Sequence, residues 1–215
     1  MNHFRHINRK KYSFDFMVFT DIIDTVYEKE IHELGGNIYQ CMPPAAFQLR
    51  AFIKKAVKVM RDHGPYDAVH VHVNIANAWV LYAAYKAGIE KRISHSHDTS
   101  GKETKKIYRH FQMYLIDKYS TAKLACSELA GEYLYGKKTN NNKWSVIHNG
   151  IDVTRFIDVS ETAVEKLQMG FNIENYKYVF GNITRFEEKK NIKFVVDVFK
   201  EMIKKYLIPF CYLAV

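Results

Sequence analysis

Four histidines stand in two pairs, His70-Val71-His72 and His95-Ser96-His97, each at the end of a short apolar run, and Asp98 follows the second. Residues two apart in a strand point to the same side, so each pair offers two imidazoles to one place. Such a pair can orient a substrate hydroxyl or act as a base. With Asp98 as a carboxylate ligand it can also hold a divalent metal, as in metal-dependent hydrolases. It can equally bond to neighbouring backbone and do no chemistry. His3, His6, His32, His63, His110 and His148 are scattered along the sequence and supply no third ligand cluster, which weighs against the metal.

A second candidate is Gly181-Asn182-Ile183-Thr184-Arg185-Phe186-Glu187-Glu188-Lys189-Lys190-Asn191. An apolar strand, Tyr176 to Ile183, precedes it, and from Asn191 the residues Ile192, Val195, Val196, Phe199 and Ile203 recur at helical spacing. Arg185 thus closes a strand and Lys190 opens a helix. A guanidinium, an ammonium and the unpaired N–H groups of a helix start can clamp a diphosphate between them. The local alternative is a solvated loop whose cations pair with Glu187 and Glu188.

These residues need a scaffold, and the chain alternates strand-like with helix-like runs almost throughout. Phe14 to Thr20 precedes a helix near Thr25 to Leu34, and Asn37 to Gln40 precedes Ala45 to His63. The rhythm continues with Tyr66 to Val73 and Ala76 to Ala87, then Arg92 to His95 and Lys102 to Tyr119, then Ala122 to Cys126 and Glu128 to Tyr135, with Trp144 to Ile147 as a further strand. Strands separated by such helices predict an α/β fold with a parallel sheet and ligands beyond the carboxyl ends of its strands. The turn-forming Asn149-Gly150 interrupts the series, and a new one starts near Tyr176. The boundary is set there, giving residues 1–152 and 153–215. The strand Pro209 to Val215 closes the sequence and no strand or glycine loop precedes Phe4 to Lys11, so a fragment at both ends is expected.

Composition narrows the classes. A hydrophobic content of 47% with 14% aromatics is globular, and no run approaches the ~20 apolar residues of a membrane span. The start, MNHFRHINRKKYSF, lacks the apolar core of a secretory signal. Cys41, Cys126 and Cys211 are widely spaced in apolar surroundings, as reduced thiols of a cytoplasmic protein are. The net charge of +9 lies mostly in residues 1–152. Within Gln48 to Arg61 a basic row of Arg50, Lys54, Lys58 and Arg61 opposes Leu49, Phe52, Ile53, Val57 and Met60. That face suits anionic lipid head groups at the inner membrane face, or is simply solvated. No zinc-finger spacing or RNA-binding aromatic signature accompanies it, so no nucleic-acid partner is expected.

Five segments, in order, resemble the family 4 retaining glycosyltransferases of the GT-B fold, above all the bacterial enzymes of capsular and exopolysaccharide assembly. Tyr66-Asp67-Ala68-Val69-His70-Val71-His72 resembles the family's Tyr-Asp-Val-Val-His-x-His. Arg92-Ile93-Ser94-His95-Ser96-His97-Asp98-Thr99 resembles Arg-Ile-Ala-His-Ser-His-Asn-Thr, with Asp98 in place of Asn. Ala125-Cys126-Ser127-Glu128-Leu129-Ala130-Gly131 is similar to Ala-Cys-Ser-Glu-x-Ala-Gly, and Val146 to Asp152 to Val-Ile-Pro-Asn-Gly-Ile-Asp, with His148 replacing Pro. Gly181 to Asn191 resembles Gly-x-Val-Gly-Arg-Phe-x-x-x-Lys-Asn, with Thr184 replacing the second Gly.

The resemblance implies an acceptor-binding Rossmann-like domain over 1–152 and the first βα units of a nucleotide-sugar-binding domain over 153–215. It implies that Arg185 and Lys190 hold the donor diphosphate, replacing a metal or other cofactor, and that His97 is catalytic near the anomeric centre. His95, Ser127, Glu128, Asn149 and Gly150 become cleft or acceptor contacts, although Ser127 also reads as a helix cap and Asn149-Gly150 as a turn. The expected partners are a nucleotide-sugar donor and a glycan or lipid-linked acceptor. The family's glycine loop and paired glutamates fall outside the sequence, so this chain alone is expected to be inactive. The alternatives are a metal-dependent hydrolase built on the His-x-His pairs and a non-catalytic binding module.

Overall fold

The computed structural model describes residues 1–19, 26–41, 49–99, 106–157, 159–171, 173, 176, 178–184, 186–206 and 210–214. The chain divides into two compact units, Met1–Ile151 and Asp152–Val215.

The first unit opens with a short helix α1 (Asn2–His6), then strand β1 (Phe16–Val18), helix α2 (Glu28–Glu33) and strand β2 (Ile38–Gln40). The two strands pair in parallel, with Phe16 opposite Ile38. Arg5 grips Glu30 with two nitrogens at 2.5 and 2.8 Å, a bidentate contact that ties α1 to α2.

Four βα-linked strands form the main sheet: β3 (Ala68–Val71), β4 (Lys91–Ser96), β5 (Ala122–Ala125) and β6 (Ser145–Val146). They lie in the order β3-β4-β5-β6, all parallel. Their connections include α4 (Asn77–Ala87), α5 (Lys106–Tyr119) and α6 (Glu128–Tyr135), and α3 (Leu49–Asp62) leads into the sheet. The alternation read from the sequence is thus realised, with one difference. Among the described residues β1 and β2 form their own two-stranded sheet and do not extend the main one.

The core gathers on α4. Ala78, Leu81, Ala83 and Ala84 are fully buried, and the helix packs against α3, α5, β3 and β4. A helix apolar on most of its circumference suits such a central place. It stops at Gly88, whose φ of +90° is a left-handed value that any Cβ would resist. Phe52, Ala56 and Met60 of α3 join this core, while Arg50, Lys54, Lys58 and Arg61 lie exposed, as the amphipathic spacing predicts. Cys41 is buried and Cys126 half-buried, both as free thiols.

The second unit carries a helix that was not among the expected elements, α7 (Glu161–Phe171), with no buried residue. Strand β7 (Tyr178–Asn182) then leads through a single 3-10 turn, Glu188–Lys190, into α8 (Ile192–Tyr206) and strand β8 (Phe210–Ala214). The two strands pair in parallel. No helix among the described residues is long and apolar enough to cross a membrane.

Candidate functional site

The carboxyl edge of the main sheet brings the two histidine pairs together. The register sets His70 opposite Ile93 and Val71 opposite Ser94, so His72 comes level with His95 where β3 ends. Within each pair the rings sit 4.1 Å (His70 and His72) and 4.2 Å (His95 and His97) apart, on one side of their strand. Between pairs they bond: His70 Nε2 lies 3.0 Å from His95 Nδ1, and His72 Nδ1 lies 2.7 Å from His97 Nε2. Each contact needs one protonated and one bare nitrogen, which neutral imidazoles supply.

The rings are indeed held neutral. Loss of water contact in the packed cluster, followed by repulsion from the neighbouring imidazoles, pushes His72 down to about 3 and His95 down to about 4. His70 is lowered by the same two causes in the same order, and His97 by desolvation. His95 is the innermost, 6% exposed, and its Nε2 has no hydrogen-bond partner among the described residues. His70, His72 and His97 face solvent.

A buried polar network fixes the strand ends beneath these rings. Asn77, fully buried at the start of α4, donates to Val71 O at 3.3 Å, to Ser94 Oγ at 2.8 Å and to His95 O at 3.4 Å. Its own oxygen accepts from Val73 N at 2.7 Å. The Tyr135 hydroxyl reaches Ser94 Oγ at 3.0 Å and Leu124 O at 2.9 Å, which ties β4 to β5. Asn74 accepts from His97 N at 3.3 Å and holds a left-handed φ of +53°, strain of the sort that gathers at functional sites. None of Asn74, Asn77, Ser94 and Tyr135 is among the residues the sequence singles out. The available signal was an asparagine set into the otherwise apolar Ala76-Asn77-Ala78-Trp79-Val80-Leu81.

The other expected site residues have definite places. Ser127 follows β5 and caps α6, accepting from Ala130 N at 3.2 Å. Glu128 pairs with Lys138 at 2.9 Å. Asn149 and Gly150 are exposed, and Gly150 O accepts from Asn2 Nδ2 at 3.0 Å. His97, Ser127 and Asn149 therefore follow the neighbouring strands β4, β5 and β6 at one edge, where ligands bind in parallel sheets. Lys190 belongs to the second unit, exposed at the last position of the turn before α8. Arg185 lies outside the described residues. At Gly181 a Cβ would meet nothing within 4 Å, so packing among the described residues does not require that glycine.

Comparison with known proteins fits this arrangement. The profile of Glycosyltransferase Family 4 matches residues 6–155. The chain belongs to glycosyltransferase family 4. Bacillus subtilis (strain 168) EpsF, a protein named as a glycosyltransferase, is 29% identical over 203 residues, covering 92% of this chain and 52% of EpsF. The fold is that of GT-B glycosyltransferases. Anabaena HepE, solved with UDP and glucose, superposes with a TM-score of 0.65 at 18% identity, over 87% of this chain and 50% of that one. A glycosyltransferase from Rickettsia africae ESF-5 gives 0.69 at 14% identity, over 95% and 52%. This family 4 chain thus spans about half the length of the relatives it matches. The family motif around Ser127 has structural work here, because Gly131 lies against the Trp144 ring with no room for a Cβ.

Proposed function

We propose that the protein to which this chain belongs transfers a hexose-type sugar from a nucleotide-sugar donor to a glycan or lipid-linked acceptor of a cell-surface polysaccharide, retaining the anomeric configuration. The observation that carries the reading is the family 4 match over residues 6–155, the stretch that builds the histidine-bearing sheet edge. Residues 1–152 would take the acceptor and 153–215 would begin the donor domain. The HepE structure with UDP and glucose makes a UDP-hexose the first donor to try.

Transfer breaks the bond between the sugar and the diphosphate, so negative charge grows on the leaving group. Arg185 and Lys190 supply cations for it, and no metal or other cofactor is required of them. His97 stands by the sugar or the attacking hydroxyl. Its Nε2 is held by His72, which leaves Nδ1 for the substrate. His95, buried below, supports that ring and reaches the substrate less directly. Ser127 and Glu128 shape the cleft through the α6 cap and the Lys138 pair, and Asn149 and Gly150 lie at its rim. The exposed basic row of α3 would rest on anionic lipid at the inner membrane face, and no nucleic acid takes part.

The test uses a protein of the relatives' full length. Arg185→Ala should weaken nucleotide-sugar binding by roughly 10- to 100-fold, the loss of one charged hydrogen-bonding partner, and His97→Ala should lower turnover with donor affinity kept. Unchanged affinity in Arg185→Ala would overturn the diphosphate assignment. The chain alone should transfer little or no sugar. Vesicle binding that ignores both anionic lipid content and salt would remove the membrane contact.

A further inference from the structure

The transfer reading uses His97, with His72 and His95 as its supports, and gives His70 no role. We propose that His70, His72 and His95 form a binding site for a late first-row divalent cation, with Zn²⁺ the representative ion.

Three observations support it. One ligand nitrogen from each of the three rings lies within 4.8 Å of the others. Zinc–imidazole bonds of about 2.0–2.1 Å in a tetrahedral site put ligand nitrogens about 3.4 Å apart. His70 Nε2 and His95 Nδ1, now 3.0 Å apart, need separate by only a few tenths of an ångström. Next, the innermost ligand is already anchored. His95 is 6% exposed, and Asn77 fixes the backbone that carries its ring. Finally, neutral imidazoles and the absence of a carboxylate from the set suit zinc, copper or nickel and disfavour magnesium and calcium.

The exchange balances without redox chemistry. The cation takes the place of the proton shared between His70 and His95. That proton moves to the other nitrogen of its ring, and the fourth position is left for water.

Zn²⁺ titrated calorimetrically into the metal-free 215-residue chain at pH 7.5 should bind one ion per chain, with no Mg²⁺ signal. The exposed substitutions His70→Ala and His72→Ala should each weaken zinc by more than the roughly 10- to 100-fold that losing a supporting residue costs. His110→Ala, outside the cluster, should leave it unchanged. Co²⁺ bound to the unaltered chain should show the intense visible bands of a tetrahedral nitrogen site. Zinc affinity retained in the His70→Ala, His72→Ala double variant would overturn the proposal, as would a Co²⁺ spectrum like that of the aquated ion. Neither result bears on donor binding at Arg185 and Lys190, so the two proposals fail separately.

Discussion

His95 combines burial, a neighbouring imidazole at 3.0 Å and a nitrogen without a partner, which makes its charged form costly in the folded chain. Its proton affinity is lowered to about 4, and that of His72 to about 3, while an unfolded histidine titrates near 6.5. Below about pH 6.5 the unfolded chain therefore binds more protons than the folded one, so stability falls as the pH drops toward 4. At His95 the loss amounts to roughly 3 kcal/mol at most. The solvent-facing rings contribute less than their shifts suggest, because water screens them. With a chelator present, the thermal midpoint should be clearly lower at pH 4.5 than at 7.5, and equal midpoints would contradict the assigned burial. The two pairs were legible in the sequence, because a period of two needs only a strand. The bonds between pairs were not, since they depend on the register of β3 against β4, which no local pattern specifies. Asn77 was hidden for a related reason: a polar residue in an apolar helix declares its partners only once the strand ends beneath it are in place.

Among the elements, α6 shows what a family motif can mean physically. Ser127 satisfies the first turn of the helix, and Gly131, one turn on, gives way to the face of Trp144. Trp144 is 5% exposed, and its Nε1 donates to Gly136 O at 3.1 Å, so the ring has little freedom to retreat. Gly131→Ala should destabilise the first unit by about 3 kcal/mol, the upper part of the overpacking range. Urea unfolding followed through tryptophan fluorescence measures this, and a change under about 0.5 kcal/mol, the ordinary surface range, would show that the contact yields easily. The βα order was readable because helices and strands differ in period. Strands β3 and β7 are shorter than their apolar runs and β4 is a residue longer at each end, since hydrogen bonding to a neighbour defines a strand and hydropathy does not. Helix α7 was not among the expected elements although Val164, Leu167 and Phe171 recur at helical spacing, because a three-residue stripe over eleven residues is a short signal.

At the scale of the whole molecule, the two units differ in how well they cover their apolar groups. The first has a continuous core from Cys41 to Trp144. In the second, Phe156, Ile157, Met169, Ile183, Phe186 and Phe194 are each at least 60% exposed. Apolar surface of that kind binds hydrophobic dyes and promotes association. The 215-residue chain should therefore enhance the fluorescence of anilinonaphthalene sulfonate at neutral pH, and a truncation to residues 1–151 should lose most of that signal. Equal enhancement by both would place the sticky surface in the first unit. The histidine edge stands at the opposite extreme. Asn77, which grips the ends of β3 and β4, is also the first residue of α4, the most enclosed helix of the core. Amide hydrogens of α4 should thus be among the slowest to exchange with deuterium, opening only when the first unit unfolds as a whole. The imidazoles are tied through Asn77 to that enclosed helix, so their spacing should persist through the local fluctuations that loosen loops elsewhere.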